Sequence, residues 1–83
     1  MKAIKYPFIT EKATLHIDDD NKLHFMVDIN TTKREIQREV EKLYDVDVAD
    51  INTMITPKGK KKAIVTFTEA GTASELASRL GIF

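Results

Sequence analysis

The stretch Lys58-Gly59-Lys60-Lys61-Lys62-Ala63-Ile64-Val65-Thr66-Phe67-Thr68 constrains this chain more than any other. It starts as a dense block of positive charge on a turn and continues without a break into a strand. Ala63, Val65 and Phe67 fall on one face, and Lys62, Ile64 and Thr66 on the other, because side chains alternate along a strand. One segment therefore pins a hairpin into a core and holds four lysines within five positions at its tip, with no acid among them. Such a run is either a solvated turn with a charged edge that discourages aggregation, or half of an ionic surface whose anion comes from another molecule.

The hairpin needs a partner strand on each side, and the chain supplies them. Val46 to Thr56 alternates through Ile51, Thr53 and Ile55, and Pro57-Lys58-Gly59-Lys60 turns it back. Lys22 to Ile29 alternates too, with Leu23, Phe25, Val27 and Ile29 on one side and His24, Met26 and Asp28 on the other, as in a half-buried strand. Between these two lies a helix. Thr32-Lys33-Arg34-Glu35 has the form of a capping box, and Ile36, Val40, Leu43 and Tyr44 recur at helical spacing. Glu35, Arg38, Glu39 and Lys42 would cover its outer side with ion pairs three and four residues apart.

The ends complete the plan. Residues 2–6 suit a short strand stopped at Pro7. Thr10 can cap a short helix, with Glu11 at its positive end and Ile9 stapling the first turn. Asp18-Asp19-Asp20-Asn21 looks like the turn that ends this helix. Thr72-Ala73-Ser74-Glu75 looks like a second capping box, and Gly81 with Ile82 and Phe83 like a Schellman ending. The order is strand–helix–strand–helix–strand–strand–helix. A right-handed crossover between strands 22–29 and 48–56 lets strand 61–68 insert between them, antiparallel to both. The expected fold class is α+β: a small split βαβ plait or sandwich, with a four-stranded, mainly antiparallel sheet covered by helices.

At 83 residues the chain suits one domain, residues 1–83. It has no cysteine, so disulfides, thiolate metal sites and cysteine nucleophiles are excluded. It has no apolar run long enough to span a bilayer and no signal-peptide pattern, which suits a soluble intracellular protein. Thirteen basic and thirteen acidic residues give zero formal charge. That argues against binding nucleic acid by bulk charge but allows a local patch. Asp18-Asp19-Asp20 and the stretch from Glu39 to Asp50 are acidic; Lys2, Lys5 and Lys12 make the N-terminus basic.

Catalytic and metal patterns are missing. An EF-hand loop counted from Asp18 places Leu23 where glycine belongs and Ile29 where glutamate belongs, and from Asp20 it fails likewise. His16 and His24 have no third ligand at a recognised spacing. There is no glycine-rich phosphate loop, GxSxG or dinucleotide motif. Arg34, Arg38 and Arg79 all fall on expected helices, not in the early phosphate-binding loop of acylphosphatases, which share the split βαβ plan.

Several of these segments together resemble the universal large-subunit ribosomal protein twenty-three family. Pro7-Phe8-Ile9-Thr10-Glu11-Lys12 is similar to that family's Pro-x-Ile/Val-Thr/Ser-Glu-Lys start. Leu23 to Asp28 resembles its Phe-x-Val-Asp strand, and Thr32-Lys33-x-Glu35-Ile36 its second helix start. Tyr44 to Val48 with Ile51-Asn52-Thr53, and Lys61 to Thr66, complete the match in the family's order. Phe67 stands where the family usually has leucine. The short hairpin at 57–60 and the ending Ala77 to Phe83 are similar to the archaeal and eukaryotic branch, not to bacterial members with their long tunnel loop.

The resemblance implies a non-enzymatic structural protein of the large ribosomal subunit, cytoplasmic, on the ribosome, and monomeric within it. It implies binding to large-subunit ribosomal RNA at the rim of the polypeptide exit tunnel, beside neighbouring ribosomal proteins. It also implies a docking surface for signal recognition particle and nascent-chain chaperones, without a cofactor or membrane insertion. The residues expected to meet RNA are Lys58, Lys60, Lys61 and Lys62 on the hairpin, Lys12 and Lys33 at two helix starts, and Asn52 and Thr53 as hydrogen-bonding groups. Tyr6 is either a base-stacking ring or a partly buried core residue. Glu11 is either a factor-docking residue or simply a favourable charge at a helix N-terminus. The acidic stretch from Glu39 to Asp50 would face away from RNA. The alternatives are a small ligand-binding plait domain and an acylphosphatase-like enzyme.

Overall fold

The computed structural model describes residues 3–82. The expected strand start at residue 2 and the terminal Phe83 lie outside that range. Strand β1 (Ile4–Pro7) leads to helix α1 (Glu11–Asp20), strand β2 (Lys22–Val27), helix α2 (Lys33–Tyr44), strands β3 (Val48–Ile55) and β4 (Lys61–Phe67), and helix α3 (Thr72–Arg79). The sheet order is β1-β2-β4-β3, and every neighbouring pair is antiparallel. β4 thus inserts between β2 and β3 as expected. The register Leu23↔Val65↔Ile51 and Phe25↔Ala63↔Thr53 stacks the large side chains on one face. There they join Ile17, Ile36, Val40, Ala73, Leu76 and Ala77 from the three helices in one buried cluster.

The hydrophobic pattern decides which side of each helix turns inward. α2 buries Ile36 and Val40 completely. Leu43, expected in the same stripe, is 55% exposed, because the inward line runs Ile36, Val40, Tyr44 at intervals of four, with Tyr44 stacked on Phe25, and Leu43 falls to its side. The expected ion pairs along α2 do not form among the described residues. Instead both Glu39 carboxylate oxygens reach across to β1, accepting the N–H groups of Ala3 at 2.9 Å and Ile4 at 2.7 Å. Glu41 likewise accepts the Val48 N–H at 3.1 Å. These carboxylates satisfy strand-end donors that the sheet leaves open.

Three further expectations are corrected. Asp18, Asp19 and Asp20 form the last turn of α1; the chain leaves the helix at Asn21, which adopts the left-handed conformation (φ 56). Ile9 is 62% exposed and staples nothing. The α3 cap is not Thr72: the N-cap is Gly71, and Thr72 turns its hydroxyl to the Glu69 carbonyl. The side chain of Asn21 takes over the capping, as developed below. By contrast, Thr32 caps α2 as its sequence predicts, with the Glu35 N–H donating to its hydroxyl oxygen at 3.2 Å. The Schellman ending also holds: Ile82 N–H donates to the Ala77 carbonyl and Gly81 N–H to the Ser78 carbonyl.

β2 is buried on both faces rather than one. His24 and Met26 are as hidden as Phe25 and Val27. The cover comes from the segment entering α1. Phe8 donates its N–H to the His24 carbonyl at 2.8 Å, and α1 presents Ile17 to the inner core and His16 to His24.

Candidate nucleic-acid interface

The hairpin that carries the lysines is a tight turn with a defined mechanism. Gly59 N–H donates to the Thr56 carbonyl at 2.9 Å, and Thr56 N–H to the Lys60 carbonyl at 2.7 Å. Pro57 supplies the fixed φ at the second turn position, and Gly59 the positive φ of 78 that a side chain would strain. Lys58 and Lys60 stand exposed on this turn. Lys61 is different: its Nζ donates to the buried carbonyl end of Thr31, just before α2. That contact ties the hairpin to the α2 N-terminus, so Lys33, exposed on the first turn, joins the same end of the molecule.

Lys5 completes this basic end. β1 carries an irregularity between Ile4 and Tyr6, with Ile4 opposite Val27 and Tyr6 opposite Met26. Lys5 and Tyr6 consequently line one cleft of about 280 Å³, together with Met26, the Asp28–Asn30 turn, Gly59, Lys60 and Lys61.

The other expected residues scatter. Lys62 lies on the outer face of the sheet, its Nζ 5.0 Å from the centre of the Phe8 ring. Lys12 is exposed on α1. Asn52 is exposed opposite Ile64, whereas Thr53 opposes Ala63 on the inner face and is half-buried. Adjacent strand residues cannot share a face, so Asn52 and Thr53 do not act together. Glu11 is exposed at the first position of α1.

Two residues that the spacing of the chain left apart are brought into contact. His16 Nδ1 lies 3.0 Å from His24 Nε2, and the ring centres are 5.1 Å apart. His16 Nε2 sits 3.9 Å from an Asp20 oxygen, and His24 Nδ1 is buried without a partner. Burial first, then the ammonium of Lys62, hold His24 down from 6.5 to about 4. His24 is therefore neutral at neutral pH. The tautomer that strands no buried donor has His24 Nε2–H donating to His16 Nδ1. Among the described residues no group of three or more potential ligands could hold a metal ion.

Charge is segregated along the strands. Among the described residues the charged contacts within 4 Å are the Arg79–Glu75 pair and the approach of the His16 ring to Asp20, so no described lysine has a carboxylate partner. The hairpin end carries Lys5, Lys33, Lys58, Lys60 and Lys61, with Asp28 as the carboxylate of its cleft. At the opposite end a cleft of about 250 Å³ is lined by Asp45, Asp47, Glu69 and Glu75, with Arg79 as its one cation. Asp18, Asp19 and Asp20 end α1 beside Asn21, whose amide reaches the Glu69 carbonyl at this same end.

The profile of one family, ribosomal protein L23, matches residues 2–75. The chain belongs to the ribosomal protein L23 family. Similar proteins are the large ribosomal subunit protein uL23 of Haloquadratum walsbyi, 48% identical over 96% of this chain and 95% of that one. That of Methanococcoides burtonii is 49% identical over 99% of both chains, and that of Halobacterium salinarum 50% over 96% and 95%. All three relatives are archaeal, as the short hairpin leads one to expect. L23 membership makes this a structural ribosomal protein and removes the acylphosphatase-like and ligand-binding readings. No described helix is long and apolar enough to cross a membrane.

Proposed function

We propose that this chain is a structural constituent of the large ribosomal subunit that holds large-subunit ribosomal RNA with its hairpin end, at the rim of the polypeptide exit tunnel. The observation that carries the reading is the cluster of Lys5, Lys33, Lys58 and Lys60, which the fold gathers at one end with Asp28 as the carboxylate of its cleft and with none of the four in an ion pair. Like charges held this close repel, and phosphate oxygens relieve that repulsion. Lys62, Lys12 and Asn52 extend the contact over the outer sheet face; Thr53, half-buried on the other face, contributes least. The acidic end faces neighbouring ribosomal proteins and solvent. Glu11, exposed on α1, belongs to the surface that meets signal recognition particle and nascent-chain chaperones. The protein acts as a single domain, one copy per ribosome, and needs no cofactor.

The test is sedimentation. Tagged protein from its own cells is followed through a subunit gradient after a high-salt wash. Retention on the large subunit at about one copy each is expected; migration free at the top overturns the proposal.

A further inference from the structure

The irregularity in β1 has a chemical use. In a regular strand Lys5 and Tyr6 would point to opposite faces. A bulge re-aims a side chain, and bulges cluster beside functional sites for that reason. Here the shift between Ile4 and Tyr6 turns both residues toward one cleft. Across the cleft stands the hairpin turn, Gly59 to Lys60, with Lys61 behind it. The floor is apolar: Met26 is buried, and Ile29 contributes an exposed alkyl side chain. Tyr6 keeps 46% of its surface open, so its ring is available. Asp28 accepts the Asn30 N–H at 2.9 Å through one oxygen, which leaves the other oxygen and the Asn30 amide at the rim.

A flat aromatic ring, an apolar floor, two free ammonium groups and a rim of amide and carboxylate make a site for one unpaired nucleotide. Resting on the RNA-binding reading above, we propose that this cleft takes a single base extruded from ribosomal RNA. The base stacks on Tyr6, its flanking phosphates meet Lys5 and Lys60, and its polar edge meets Asn30 and the free Asp28 oxygen. Single-stranded bases are read this way, by stacking on aromatic side chains and hydrogen bonds to their edges, whereas a duplex keeps its bases inside. The cleft therefore prefers a bulge or loop to a helix.

The experiment uses the full chain labelled with fluorotyrosine and observed by fluorine NMR. The chain has two tyrosines, so Tyr44→Phe assigns the Tyr6 signal. A short single-stranded RNA is expected to move the Tyr6 resonance, and a duplex of equal length to leave it in place. Filter binding to purified large-subunit ribosomal RNA runs alongside. Tyr6→Ala is expected to weaken affinity roughly 5- to 150-fold, the range found for loss of one base stack, and Tyr6→Phe to restore it with the salt slope unchanged. If the RNA binds with its salt dependence intact while Tyr6→Ala matches the parent and the Tyr6 signal stays still, the nucleotide site is wrong and the RNA-binding reading stands. If no RNA binds at any salt concentration, both fall.

Discussion

The Asn21 side-chain carbonyl accepts the Ala73 N–H at 2.9 Å, so a residue at the end of one helix caps the start of another. The amide nitrogen of Asn21 donates to the carbonyls of Phe67 at 3.0 Å and Glu69 at 2.7 Å. Its left-handed backbone ends α1, and its own carbonyl accepts the Phe67 N–H. One short side chain thus joins α1, β4 and α3. Asn21→Ala removes a cap worth about 1 kcal/mol, takes the amide donors from the Phe67 and Glu69 carbonyls, of which Glu69 keeps Thr72, and puts alanine at a positive φ that asparagine tolerates better. We expect a loss of about 2–3 kcal/mol and a melting temperature lower by roughly 10–20 °C, measured by circular dichroism. Asn21→Gly, which relieves the backbone alone, should recover only part of it; full recovery would show that the hydrogen bonds contribute nothing.

The histidine pair makes stability depend on pH. His24 is held below its ordinary value in the fold, so the unfolded chain binds its proton more readily. The groups facing it are His16 and Lys12 from α1, Lys22 from its own strand and Lys62 from β4, with Asp20 beyond His16. Its stabilising contribution is complete above pH 6.5 and drains away as pH falls toward about 4. Denaturant titrations across that window should lose up to about 3 kcal/mol at this site. His24→Phe should flatten the curve there; an unchanged slope would assign the effect elsewhere.

Lysines of the hairpin divide by what they touch. Lys58→Ala with Lys60→Ala should leave the melting temperature in place and reduce the log–log salt slope of RNA binding by about 1.4–1.8, at 0.7–0.9 per phosphate. Lys61→Ala should instead cost about 1–2 kcal/mol of stability, because it strands the buried Thr31 carbonyl. Equal effects of the two variants on folding would contradict this division.

Glu39 holds the edge strand. Glu39→Gln offers one acceptor where two N–H groups now find two. Hydrogen exchange at Ala3 and Ile4 should accelerate well before the β2–β4 core opens, since both lie at the sheet edge. Protection that stays at the core value would mean that β1 is held by packing alone.

The strand and helix plan was open to reading because each of the long elements follows one period. Leu23 to Val27 and Ala63 to Phe67 alternate, and Ile36 and Val40 recur at a helical interval. The misreadings arose where a distant side chain overrode local chemistry. Asp18 to Asp20 favour a turn locally, yet Asn21, gripped by β4 and α3, lets α1 continue through them. Thr72 has the local form of a cap, yet Asn21 reaches the α3 N-terminus first. The lysine cluster was visible as a run, while its companions Lys5 and Lys33 became neighbours only through the β1 irregularity and the Lys61–Thr31 contact. Tyr6 could not be assigned to the cleft from periodicity, since an irregular strand has none.

The separation of charge gives this neutral chain a direction. With no net charge, nothing pulls it toward a polyanion from afar, and salt has little to screen at long range. Close to RNA the field grows steep, and a body positive at one end and negative at the other feels a torque before it feels a pull. If the hairpin end is the one that meets RNA, as proposed above, that torque turns it forward and the carboxylates back. On that reading the arrangement favours arrival in the right pose over rapid capture, and an approach with the acidic end first meets repulsion.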